Sequence, residues 1–420
     1  MDFDRPTIQP GQMRDIAAFY GMVEPLETEY LGGIPNVTYR VASADRVLAI
    51  RICNNGYTSP EHLHCELTVL RFLRERGFEY SPVPVPGVDG ELVQHWQGYR
   101  VVASRFIEGV AGDRTPLGPD QCAQIGAAVA RLGAALAGLE HGLPAAESFR
   151  SRSVRLLDGF PDRAAALGWP GDLARIPSRF DRAMRVLETA GPAGWYPAIH
   201  ADIWPPNTIY RDGVLAGVID FDDLSFGPPV LDIAAVLCEF AFPQPDRLDE
   251  PLAAAALAGF RSAGGAPGPA GADPGEILGN AIEALCVSWL GANALHGVGY
   301  AESRSLLERL DLLADPAGRA DLVARLAQLW RRAGTGHPPG GTGPHTRFPR
   351  GAADPERSAD PEPAADPDRS TDPERSADPE RSADPERSAD PERSADPERS
   401  ADPERSADPE RSANPDRSSV

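Results

Sequence analysis

The segment His200-Ala-Asp202-Ile-Trp-Pro-Pro-Asn207 sets a carboxylate and a carboxamide five residues apart. A second carboxylate, Asp220, follows thirteen residues after Asn207, at the end of the apolar run Gly217-Val-Ile. The whole stretch reads as strand, turn and strand. Phosphoryl transfer from ATP needs this set of groups. One carboxylate orients the accepting hydroxyl and takes its proton, while an amide oxygen and another carboxylate hold Mg²⁺ on the phosphates.

Such side chains act only where other elements bring a nucleotide to them. Residues 1 to about 108 read as strand-rich with one clear helix. Positions 30–41 look like a strand, a Gly-rich turn and a strand. Positions 46–52 form a third strand, with Ala49 and Arg51 on one face and Leu48 and Ile50 on the other. Two more strands are expected around 90–95 and 99–106. Between them, 60–76 carries Leu63, Leu67, Leu70 and Leu73 at helical spacing. From Pro119 the pattern turns helical, and Cys122, Ile125, Val129, Leu132, Leu136 and Leu139 make one apolar stripe. Further helices are expected at 179–190, 229–243, 247–262, 276–296 and 303–332, with a surface loop at 263–271. The fold class that follows is α+β. An antiparallel sheet lobe (1–108) and a mostly helical lobe (109–334) leave a crevice that 200–223 can face.

Beyond 334 the composition changes. A Gly- and Pro-rich linker leads to a hexapeptide, Ala-Asp-Pro-Glu-Arg-Ser, repeated with small variations from Ala353. Alanine is its only apolar side chain and proline returns every six residues, so 335–420 is expected to be a disordered low-complexity tail. Residues 351–420 hold 21 Asp and Glu against 10 Arg, just over half of the chain's net charge of −21. The remainder is mildly acidic. It lacks the clustered positive charge of a nucleic-acid surface and is compatible with a cationic substrate. All 41 positive residues are Arg, so phosphate contacts fall to Arg or to backbone N–H groups. The five Cys form no C-x-x-C pair and suggest reduced thiols. The N-terminus has no signal pattern, and no apolar run nears the ~20 residues that span a bilayer. A cytoplasmic protein with no membrane or nucleic-acid partner is expected, and any partner of the tail stays open.

The constellation resembles the phosphotransferase family that includes aminoglycoside phosphotransferases, choline kinases and the second type of homoserine kinase, which share the protein-kinase-like two-lobe fold. The likeness runs over about residues 25–330 and is most specific at 198–232. It implies ATP and Mg²⁺ as cofactors. Asp202 matches the catalytic Asp, Asn207 the Mg²⁺-binding Asn, and Asp220 the Asp that bridges metal and phosphates. His200 matches a loop-fixing His, and Asp232 an Asp that braces the catalytic loop. Gly32, Gly33 and Asn36 match the hairpin over the phosphates. Arg51 stands where protein kinases put Lys, with Glu66 as its partner. Backbone groups near Arg105 and Ile107 match the hinge that receives adenine. Ala201 replaces a usual Gly, a departure that fits unless the backbone needs a positive φ. Asp222 is open between touching a second metal and lying solvated.

Each of these residues also has an ordinary reading. Asp202 suits a turn, Asn207 a cap, and Arg51 and Glu66 two unrelated surface charges. The common spacing of 202, 207 and 220 favours the chemical reading. His62-x-His64-Cys65 reads as a helix-start cluster, since no further ligand stands nearby.

The function expected is an ATP-dependent small-molecule kinase that phosphorylates a hydroxyl of an aminoglycoside-like or amino-alcohol substrate. A homoserine kinase-type amino-acid kinase and a catalytically inactive nucleotide-binding module are the alternatives. A metal-dependent hydrolase on His200, Asp202, Asp220 and Asp222 fits less well, because such sites recruit more His and carboxylate ligands. The acceptor pocket has no diagnostic motif. Glu239, Asp246, Asp249, Glu250 and Glu283 are candidates to receive an amine, though such groups are ordinarily surface charges.

Overall fold

The computed structural model describes residues 8–334 except 34–35, 55, 57, 140–146 and 191–195, so the repeat tail lies outside the described residues. The chain begins α1 (Pro10–Ala18), β1 (Glu27–Gly32), β2 (Val37–Ala42), β3 (Val47–Cys53), α2 (Pro60–Glu75), β4 (Pro84–Val85), β5 (Gln94–Trp96) and β6 (Tyr99–Arg105). The strands form one antiparallel sheet in the order β1-β2-β3-β6-β4, with β5 also on β6. Strand alternation divides β3 between two faces. Leu48, Ile50 and Ile52 are buried against Met13, Ile16 and Ala17 of α1, while Arg51 points to α2. Helix α1 had no clear signal because its nine residues are too few for a repeating apolar stripe to stand out.

Helix α2 starts where Ser59 accepts the His62 N–H at 3.1 Å and Pro60 fills the first helical position. Its Leu63, Leu67, Leu70 and Leu73 are all buried. Each such leucine contributes roughly 1.5–3 kcal/mol through removal from water. Part of this face packs with Leu132, Leu136, Phe221 and Leu224, which joins the sheet lobe to the helical lobe.

The helical lobe continues with β7 (Val110–Ala111), α3 (Pro119–Leu136), α4 (Phe149–Leu157), α5 (Phe160–Ala166), α6 (Ile176–Ala190), β8 (Ala198–Ile199), β9 (Thr208–Arg211), β10 (Val214–Val218) and β11 (Ser225–Phe226). It ends with α7 (Val230–Phe240), α8 (Glu250–Ser262), α9 (Pro274–Leu295), α10 (Tyr300–Ala314) and α11 (Pro316–Ala333). Strands β7, β9 and β10 form one small sheet, and β8 and β11 another. Helices α7 and α9 are the centre of the core, buried on nearly every side. Helices α3 and α8 meet backbone to backbone, because a Cβ on Gly126 would stand 2.1 Å from the Ala256 carbonyl oxygen.

Two expectations need correction. The span 303–332 is two helices: Asp315 closes α10 and caps α11 by accepting the Gly318 N–H at 2.7 Å, and Pro316 starts the new helix. The segment before α6 was read without helices and holds α4 and α5. No described helix is long and apolar enough to cross a membrane. All five Cys are buried free thiols.

Candidate active site

The loop after β8 is held by main-chain contacts. Asp232, in the first turn of α7, is buried and accepts the N–H groups of His200 at 3.0 Å and Ala201 at 2.9 Å. Burial raises its pKa to about 6, against the pull of those two N–H groups. The His200 ring is fully buried, with Nε2 3.0 Å from the Ile219 carbonyl and Nδ1 accepting the Asp202 N–H at 3.3 Å. Nε2 therefore carries the hydrogen. Burial depresses its pKa to about 4, so the ring is neutral. Ala201 adopts φ of +65°, the left-handed region where glycine is at ease. The substitution noted in the sequence thus sits at a position of real backbone strain.

Asp202 leaves this loop half-buried, while Ile203 points into the core and Trp204 is exposed. Asn207 lies in the single turn of 3₁₀ helix Pro205–Asn207. Its Nδ2 donates to the Asp202 carboxylate at 2.8 Å and to the Asp202 carbonyl at 3.0 Å. The Ile219 N–H donates to the Asn207 carbonyl at 2.9 Å, which sets the end of β10 beside this turn. Asp220 follows with φ of +66°. Asp202, Asn207 and Asp220 are thereby brought together. Burial and the Asp223 carboxylate raise the Asp202 pKa to about 7. Burial, then Asp222 and Asp202, raise that of Asp220 well above the usual carboxylate range. Asp220 itself is exposed just past the end of β10, with the Asp222 and Asp202 carboxylates close by.

The sheet lobe reaches the same place. Arg51 donates through Nη2 to Glu66 of α2 and through Nη1 to Asp222, both at 2.5 Å. Asn36 Nδ2 donates to the other Asp222 oxygen at 2.6 Å, and Asn36 Oδ1 accepts the Asn54 N–H at 2.8 Å. The Asp222 carboxylate is thus held from the sheet lobe by both Arg51 and Asn36, which ties the two lobes. Asn36 is buried and turned toward this tie rather than outward with Gly32 and Gly33. Both glycines have φ near +115°, and the space beside Gly32 is open. Arg105 is exposed at the end of β6 and its N–H donates to the Val83 carbonyl. Ile107 packs its side chain on the backbone of Gly217, behind the strand that leads to Asp220.

Several neighbours escaped the sequence reading. His62 places Nε2 2.6 Å from the Asp222 carbonyl oxygen, whereas His64 is exposed. The helix-start reading accounts for the position of His62 in α2 but not for this contact. Arg152 of α4 pairs with Asp223, and both bear electrostatically on Asp202. Glu239 also bears on Asp202 and lies 4.0 Å from Arg309. Of the other acidic candidates, Asp246 is exposed and the remaining three are engaged elsewhere. Glu283 has no exposed surface and is held by Arg179, Arg182 and Arg319, Asp249 caps α8, and Glu250 faces Arg325. A cleft of about 900 Å³ between α6, α10 and α11 contains none of the catalytic-loop residues.

Among the described residues, no three His, Cys, Asp or Glu side chains form a metal cluster by themselves. The donors near Asp202 are two carboxylates and an amide oxygen. Such a hard-oxygen set suits Mg²⁺, which keeps waters and shares its shell with phosphates.

The APH profile, described as Phosphotransferase enzyme family, matches residues 27–270. A homoserine kinase of Gluconacetobacter diazotrophicus is 27% identical over 253 residues, covering 59% of this chain and 73% of that protein. One from Rhodospirillum rubrum is 32% identical over 190 residues, covering 45% and 56%. The amicoumacin kinase hAmiN, solved with AMP-PNP, Ca²⁺ and Ami, superimposes with a TM-score of 0.55 at 16% identity, over 77% of this chain and 94% of its own. A microcompartment-associated aminopropanol kinase does so with a TM-score of 0.53 at 20% identity, over 77% and 100%. The fold is that of the kinase-like phosphotransferases. With a profile match across more than half its length, the chain belongs to the phosphotransferase enzyme family and is a small-molecule kinase with a hydroxyl acceptor.

Proposed function

We propose that the protein transfers the γ-phosphate of ATP to a hydroxyl of a small amine-bearing alcohol, in the cleft between a nucleotide lobe (1–108) and a helical lobe (109–334). The observation that carries this reading is the Asn207–Asp202 hydrogen bond together with the Ile219 N–H bond to the Asn207 carbonyl, which sets Asp220 beside that turn.

Asp202 orients the acceptor hydroxyl and takes its proton. Its raised pKa, about 7, suits a group that must both gain and lose a proton near neutrality. Asn207 commits its nitrogen to Asp202, so its oxygen is the end that faces a cation, with Asp220 as the second protein ligand. When bound, Mg²⁺ neutralises charge on the β- and γ-phosphates. Arg51, steadied by Glu66, contributes positive charge where a Lys is absent. Gly32 and Gly33 cover the phosphates with backbone, and the Arg105–Ile107 segment receives adenine through main-chain groups. His200 and Asp232 act through the loop they fix. Catalysis on this scheme is positioning and charge stabilisation.

On the acceptor side, Glu239 and Asp223 put negative charge near Asp202, which favours a substrate with an ammonium group. An amino alcohol, a hydroxy amino acid such as homoserine and an aminoglycoside all fit that description. The similarity to proteins named homoserine kinase supports the second. The deciding experiment follows ADP formation by the purified protein with each class, at saturating Mg²⁺. Acceptor-dependent turnover that vanishes in Asp202→Asn is expected. No turnover on any class, or full turnover in that variant, would overturn the proposal.

A further inference from the structure

We infer that His62 is a positioning residue: from helix α2 it holds the turn that carries Asp220 and Asp222. The inference rests on the kinase reading above, through the role given to Asp220.

The contact is specific. The His62 N–H is fixed by Ser59 in the first turn of α2, and its Nε2 reaches the Asp222 carbonyl oxygen at 2.6 Å. A carbonyl only accepts, so Nε2 is the donor. Glu66 stands one turn further along the same helix face, at i+4, and holds Arg51, which in turn holds the Asp222 carboxylate. Asp222 is therefore gripped twice from α2, at its carbonyl directly and at its carboxylate through Arg51. Asn36 adds a third hold, on the second carboxylate oxygen.

The turn needs such holds. Asp220 has φ of +66°, a conformation that L side chains rarely adopt. Strained backbone of this kind persists only where its surroundings over-determine it. From below, Phe221 is locked in the core with Cys65 and Val69 of α2 and meets the His200 ring at a tilt of 53°, ring centres 4.5 Å apart. From above, His62 is the α2 side chain bonded to the main chain of the turn. A shift of α2 would pull the Asp222 peptide and with it the Asp220 backbone. His62 touches neither reacting group and acts through Asp222.

The test compares wild type, His62→Ala and His62→Gln by two readouts. One is amide hydrogen exchange of residues 219–224 in nucleotide-free protein, and the other is calorimetric binding of Mg²⁺–AMP-PNP. For His62→Ala we expect faster exchange in that segment and binding weakened roughly three- to tenfold, the range for one lost hydrogen bond. Glutamine can donate to the same carbonyl and is expected to recover most of both. His62→Leu replaces the alanine variant if the latter does not fold. Wild-type exchange and binding in the alanine or leucine variant would overturn the inference. So would a glutamine variant no better than alanine while exchange within α2 itself is unchanged. The exchange readout needs no turnover, so a protein inactive on every acceptor would sink the kinase reading and still decide this one.

Discussion

Asn207 and Asp202 form one unit: the Asn207 amide nitrogen donates to both the carbonyl and the carboxylate of Asp202, at 3.0 and 2.8 Å. The residue proposed to hold metal therefore also aims the residue proposed to handle the hydroxyl. Asp202→Asn should lower kcat by roughly 10²–10⁴-fold, the usual range for a lost general base, with nucleotide affinity nearly unchanged. Asn207→Ala should lower kcat and weaken Mg²⁺–nucleotide binding together. Because the two share one bond, the double variant should lose much less than the product of the two single losses, as a double-mutant cycle would show.

The Asp202 carboxyl, with its pKa raised to about 7, sets an acid limb. The active form is deprotonated, so kcat/KM should climb as pH rises through about 7 and level off above it. The Asp223 carboxylate is part of the cause, so Asp223→Asn should move that limb to lower pH. A pH profile of kcat/KM for both proteins checks this, and an unmoved limb would exclude Asp202 as its source.

His200 makes the opposite statement about stability. Its pKa is about 4 in the fold against 6.5 for a free imidazole. The unfolded chain thus binds the proton first, and the stability tied to the neutral ring is present above pH 6.5 and lost as pH falls through about 4. The size is about 3 kcal/mol on a fully buried ring. Denaturation of His200→Gln across that window should show a flatter acid limb than wild type.

Ala201 carries a methyl group in a left-handed backbone, φ +65°. Relief of that strain by glycine is worth about 1 kcal/mol, and the added chain entropy and lost methyl contact offset it by a similar amount. Ala201→Gly should therefore change stability by less than about 1 kcal/mol and keep activity. Ala201→Val adds β-branching at a positive φ beside Asp232 and should destabilise by about 2 kcal/mol or more. Urea midpoints and kcat of both variants settle the comparison.

Much of the site was legible because its geometry is local. Asp202 and Asn207 are five residues apart on one turn, and β9 and β10 return the chain to Asp220 within thirteen more. Helix α2 was legible from its leucine stripe. Other elements left no periodic trace. Helices α4 and α5 span nine and seven residues, too short for a stripe to stand out. Helix α9 is buried nearly all round, so its apolar residues have no single face. The break at Asp315-Pro316 was legible chemistry, a cap followed by proline, hidden inside a continuous helical pattern.

Sequence by itself determined the spacing of Asp202, Asn207 and Asp220 and, through the family it resembles, the phosphotransferase character, because residue type and short spacing fix which groups one loop can offer. Tertiary structure alone decided what those donors touch. Asp222 meets Arg51 across 171 residues, Asn36 across 186 and His62 across 160. No local pattern encodes such pairings. They depend on how the sheet, α2 and the core beneath Phe221 pack, and packing is a property of the whole fold rather than of any segment.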